Sequence, residues 1–235
     1  MTNIEWLKKK IRPHLRDVSI EDADLEEMID TVIGEIAMET RIFKKLYGFT
    51  VHESIDKYNF RYIARMNERV EQEPTSITFT DPTMVEIIQF INNGEIPDIA
   101  VEKDLQVEDA QSQFIDLLDI FDEKGVSVLH KFEERGSSYY FCYDDTWRMI
   151  NDGKSFAFSG WVKPEISELH NEELTILLPT IISGCKFYVN DILHGVTDTQ
   201  ATNYDYMRWF NNKKSLMDKF PTLVYSTKEN TRWQY

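Results

Sequence analysis

Apolar and polar positions divide the chain into stretches of different period. Over residues 22–46, apolar side chains recur at Leu25, Met28, Ile29, Val32, Ile33, Ile36, Ala37, Phe43 and Leu46, one stripe at the helical repeat. Ser19 followed by Asp22 supplies a start signal, acids lead and bases follow along the opposite face, and Gly48 marks the stop. A second helix is predicted over 51–71, opened by Thr50 and Glu53 and ended by Pro74, with Ile55, Tyr58, Tyr62, Ile63, Met66 and Val70 on its apolar side. A short strand is expected at 76–80. A helix follows from Asp81-Pro82 to Gly94, then a polar connection over 95–108 and a short helix over 109–122.

The period then shortens. Val126, Val128, His130 and Phe132 alternate with polar residues, 139–143 and 147–150 continue as strands, and Asn151-Asp152-Gly153 is a hairpin turn into a strand over 155–162. These four strands predict a small antiparallel meander. Helix returns where Leu174, Leu177, Leu178, Ile181, Ile182, Cys185, Val189, Ile192 and Leu193 step by three and four, with Asn171 as cap, Gly195 as stop and Pro179 as a kink. Gly184 would let another helix approach closely. A last helix is expected over 203–220, followed by an extended, aromatic tail.

The reading is an α+β fold, mainly α. A helical bundle core spans 1–125 and 163–220, an antiparallel β insertion 126–162, and a C-terminal tail 221–235. Leu25, Ile29, Ile33, Ile36, Leu178, Ile182, Cys185 and Val189 are the expected core-helix contacts.

Charge narrows the function. The 235 residues carry 41 acids against 26 bases, a net charge of -15, which argues against a surface that grips nucleic acid phosphates throughout. Two cysteines, Cys142 and Cys185, are no disulfide framework and read as buried, inert thiols of a reducing compartment. The N-terminal segment has no signal-peptide pattern, and no apolar run is long enough for a membrane span.

Reactive motifs are sparse. The five histidines are scattered without metal-ligand spacing, and phosphate-binding glycine loops are missing. No catalytic, metal or cofactor site is expected, and the protein is not read as an enzyme. The strongest enzymatic alternative is acidic: Asp144, Asp145 and Asp152 cluster around one strand end, and Asp98 with Glu102-Lys103 resembles a nuclease pattern at the wrong spacing. Arg208-Trp209-Phe210 and Arg232-Trp233 are interface anchors by composition. The basic run Lys8-Lys9-Lys10, with Arg12 and Arg16, suits a solvated first helix or an acidic neighbour.

Two segments carry a family resemblance. VSIEDADLEEMIDTVIGEIAMETRIFKKLYGF, residues 18–49, resembles the opening helix of tailed-bacteriophage head-to-tail connector (adaptor or neck) proteins, with Asp22, Ala23, Asp24 and Leu25 matching the turn before that helix. EELTILLPTIISGCKFYVNDILHG, residues 172–195, is similar to the family's second core helix, and a β meander between the two helices fits its common plan. The match covers two helices and the element order, and leaves the helices between 51 and 122 unaccounted for.

The resemblance implies a structural virion protein at the head–tail junction, assembled in the host cytoplasm. It would form a homo-oligomeric ring, of roughly twelve copies, under the portal protein and above tail or further neck proteins. DNA would pass through its channel without specific binding, with no membrane partner. The tail residues Thr222, Leu223, Val224, Tyr225, Arg232, Trp233 and Tyr235 would dock on the portal as an added strand with aromatic anchors. The alternatives are an acidic non-virion interaction or regulatory protein and, further off, a metal-dependent nuclease.

Overall fold

A computed structural model describes residues 2–15, 20–70, 77–94, 96, 113–135, 139–194 and 199–221. The fold is α+β and mainly α, with two small antiparallel sheets. It divides into a helical unit, Met1–Phe43 with Lys163–Pro221, and a β unit, Lys44–Val162.

The helical unit contains α1 (Asn3–Ile11), α2 (Asp22–Thr40), α6 (Asn171–His194) and α7 (Thr199–Lys219). A capping box starts α1: Glu5 N–H donates to Thr2 Oγ1, and the Glu5 carboxylate accepts from Thr2 N–H. The Asn3 side chain donates to the carbonyls of Ile166 (2.9 Å) and Leu169 (2.7 Å), tying α1 to the segment before α6. Helix α6 packs along α7 and α2. A Cβ on Gly184 would lie 2.7 Å from Val32 Cγ1 and 3.0 Å from Trp209 Nε1, so this glycine sets the close approach. The expected span of α6 is observed, and the helix runs unbroken through Pro179.

Helix α2 is shorter than its apolar stripe suggests. It stops at Thr40 because Arg41 takes the left-handed conformation (φ 51°) and returns its N–H to Ala37 O. Residues 44–46 are strand, and Gly48 lies inside that strand rather than ending a helix. The proposed cap Ser19 and stop Gly195 lie outside the described residues.

The β unit begins at once. Strands β1 (Lys44–Thr50), β3 (Phe114–Phe121) and β6 (Ser155–Val162) form one sheet in the order β1-β6-β3, and β2 (Lys57–Asn59), β4 (Glu133–Glu134) and β5 (Tyr139–Phe141) form the other in the order β2-β5-β4. Helices α3 (Phe60–Val70), α4 (Met84–Asn93) and α5 (Asp145–Ile150) complete the unit.

Several sequence expectations are corrected here. The helix expected from residue 51 starts only at Phe60, where Asn59 Oδ1 accepts Tyr62 N–H, so no capping box forms at Thr50. Of the segment 76–80, the described residues 77–80 contribute a bridge of Thr78 to Lys44. Pro82 precedes the true cap of α4, Thr83, which makes a capping box with Glu86. The helix expected at 109–122 is strand β3 over its described part. Residues 129–131 form a single 3-10 turn, and 147–150 belong to α5 because Asp144 Oδ1 accepts Trp147 N–H and starts a helix. The four-strand meander is therefore replaced by two sheets that draw three of their strands from the stretch read as helical bundle.

Residues paired across a sheet share a face. On one face of the β1–β6–β3 sheet Tyr47 stacks on Phe158 (5.1 Å), and Phe60 from α3 lies 4.7 Å from Phe158 and 5.3 Å from Phe49. Tyr58, Phe132 and Tyr140 join this cluster. It is the apolar core of the unit, built from large rings in edge and tilted contacts. The other face carries Lys44, Leu46, Ser159, Asp116 and Asp119 beside α4.

Candidate functional site

That polar face is the first place where chemistry could concentrate. Lys44 is buried to 2% side-chain exposure, and its Nζ lies 2.7 Å from Asp81 Oδ1. Ser159, two register positions along β6 and paired with Leu46, is 1% exposed, and its hydroxyl has no hydrogen-bond partner among the described residues. Asp119, opposite Ser159, accepts from Ser127 Oγ (2.7 Å) and Ile120 N–H (2.8 Å). Burial raises the Asp119 pKa above the usual carboxylate range, against the lowering effect of those two hydrogen bonds. A pocket of about 220 Å³ opens here, lined by Lys44, Leu46, Thr78, Glu86, Phe90 and Ser159 among others. Glu86 is held below its ordinary pKa by its hydrogen bonds from Thr83. Lys44 and Asp81 therefore neutralise one another, and the arrangement is that of a structural ion pair beside a solvated notch.

The second concentration is aromatic. Tyr139, Phe141 and Tyr143 alternate along one exposed face of β5 and its continuation, with Phe141 and Tyr143 parallel at 5.9 Å. Lys57 Nζ sits 4.1 Å from the Tyr139 ring and 5.9 Å from Phe141. Arg135 lies 5.1 Å from Tyr143 and pairs with Glu133 at 3.5 Å. Cations interleave the rings, so the ladder is internally satisfied.

The third lies on the helical unit. The inner side of α7 buries Trp209, Lys213 and Leu216, with Lys213 Nζ 2.6 Å from Glu39 Oε2 and 3.8 Å from the centre of the Trp209 ring. Its outer side exposes Tyr204, Tyr206, Met207, Phe210 and Met217. On α2, Glu35 accepts the Tyr188 hydroxyl proton, and burial raises its pKa.

The acids singled out in the sequence do not converge. Asp144 caps α5 and binds Lys131 Nζ (3.0 Å), and the backbone hydrogen bond from Trp147, with that lysine, holds its pKa low. Asp145 pairs with Arg148, and Asp152 accepts the Glu53 N–H (3.0 Å) beside His52. Asp98, Glu102 and Lys103 lie outside the described residues. Among the described residues no group of three His, Cys, Asp or Glu side chains could hold a metal ion, and no helix is long and apolar enough to cross a membrane. Both thiols are buried and raised in pKa by burial, Cys185 to about 12.

Of the core-helix residues, Leu25, Ile29, Ile33, Ile36, Cys185 and Val189 are buried, while Leu178 and Ile182 are half-buried. Their neighbours Leu174, Leu177 and Ile181 take the inner positions. In the Arg208-Trp209-Phe210 run, Trp209 turns inward and its neighbours outward. Thr222 to Tyr235, including Leu223, Val224, Tyr225, Arg232 and Trp233, lie outside the described residues. Sequence reasoning missed Lys44, Asp119 and Ser159, whose only signal is their opposition across β1, β6 and β3. No protein-family model and no curated protein matches this chain.

Proposed function

We propose that this chain is a structural ring protein of the head-to-tail junction of a tailed phage, bound under the portal and lining the path of the DNA. One observation carries the reading. The helices that bear the resemblance, α2 and α6, pack against each other in a single helical unit, with the strands inserted between them in the chain. The acidic surplus supports it, because a negatively charged lumen repels the phosphate backbone and lets the genome slide.

Quantitative mass spectrometry of purified particles of the phage encoding the chain tests the proposal. Roughly twelve copies per particle are expected. Absence from intact particles overturns the virion role.

A further inference from the structure

We infer that the pocket between β1 and α4 binds a small neutral molecule made of one ring and a carbonyl oxygen, with the oxygen taken by the Ser159 hydroxyl. The site lies within the β unit and is independent of the ring reading.

Strand register sets the floor. Leu46 pairs with Ser159 and Lys44 with Trp161, so Lys44, Leu46 and Ser159 share the sheet face beside α4, and all three line the pocket. Helix α4 supplies the facing wall, where Glu86, Gln89 and Phe90 stand three and four residues apart on one side of the helix.

Two groups at the floor have hydrogen bonds to give. Ser159 is 1% exposed, and its hydroxyl has no partner among the described residues. A buried hydroxyl left in that state is costly, so a group that meets it gains more than one bond in water would bring. The Lys44 ammonium carries several N–H donors, and its ion-pair partner is Asp81, 2.7 Å away. The floor is rich in donors and lacks an acceptor oxygen.

Water meets this need badly. Leu46, Pro82 and Phe90 flank the pocket with side chains that offer no hydrogen bond, whereas an ordered water wants about two to four polar partners. A ligand that brings an oxygen to Ser159 and an apolar ring to these walls displaces poorly held water and satisfies both surfaces.

Charge and size narrow the class. Lys44 and Lys45 line the pocket, Glu86 stands in its wall and Asp81 lies against Lys44, two charges of each sign. An ion entering here would lose hydration without meeting a net counter-charge. The volume of about 220 Å³ is below the roughly 300–1,000 Å³ of clefts that hold drug-sized ligands, which suits a single ring with one polar substituent.

The test titrates the full chain with benzamide, and with toluene as the same ring without the oxygen, following backbone amide NMR shifts. Benzamide should bind with a Kd of about 1 mM, roughly fivefold or more tighter than toluene, and should shift the signals of Thr78, Thr80 and Gln89. Ser159→Ala should weaken benzamide about fivefold and leave toluene within about twofold. Unchanged toluene binding shows that the variant keeps its fold and its pocket. No saturable binding of benzamide, shifts confined to other parts of the chain, toluene binding as tightly as benzamide, or a Ser159→Ala variant that spares benzamide or weakens both compounds alike overturns the inference.

Discussion

Lys44 Nζ lies 2.7 Å from Asp81 Oδ1, and the lysine side chain is almost wholly enclosed while the aspartate keeps some contact with water. The asymmetry decides which substitution costs more. Asp81→Asn leaves an enclosed ammonium without its counter-charge and should destabilise the β unit by about 3 kcal/mol. Removing both charges with Lys44→Met/Asp81→Asn should cost less than the single change. Urea unfolding followed by tryptophan fluorescence reads both. Equal losses would mean that the cation is solvated.

Asp119 should make stability depend on pH. Burial raises its folded-state pKa above the unfolded value. Its contribution is therefore fully present below the usual carboxylate pKa and is lost as pH rises through the raised value. Asp119→Asn keeps an acceptor for Ser127 without the charge. It should gain on wild type across that window, and the difference between the two should be flat well below it. Denaturation midpoints measured from acid to neutral pH provide the check.

Gly184→Ala would press a methyl group into Val32 and the Trp209 ring. Overpacking of this kind costs about 1–3 kcal/mol, opposed by about 1 kcal/mol of helix propensity. A net loss of up to about 2 kcal/mol is expected in a thermal melt. A raised melting temperature would show that the helices can part freely.

If the chain is the ring protein proposed above, deleting residues 222–235 should abolish docking to the portal while leaving the circular dichroism of the helices unchanged. Co-purification with the portal protein of the same phage measures it. Unaltered binding would move the docking role elsewhere on the chain.

How much was legible follows from where local pattern and tertiary structure agree. Helix α6 and strand β6 could be read because each has a clean period bounded by strong punctuation. Strand β3 could not, because Asp116 and Asp119 stand three apart, as on a helix. A register shift between Leu117 and Asp119 brings both onto one sheet face, opposite Trp161 and Ser159. Helix α2 was overrun because Phe43 and Leu46 continue its stripe, and only the backbone of Arg41 ends it. The aromatic run 139–143 was visible as a strand, but the cations between its rings come from Lys57 and Arg135, which no local pattern joins to it. The outward turn of Arg208 and Phe210 could be foreseen only after Trp209 had been placed inside.

The β1–β6 ladder has a consequence for how such a chain can be built. Lys44 and Trp161 are register partners, so the first and last strands of the β unit begin and end side by side. The polypeptide thus leaves the helical unit and re-enters it through neighbouring strands, a gap that a few residues can bridge. Lys44–Val162 has the geometry of a cassette: it can be lost, exchanged or enlarged by recombination at two adjacent points without moving the flanking helices apart. Selection can then act on the cassette and on the helices separately.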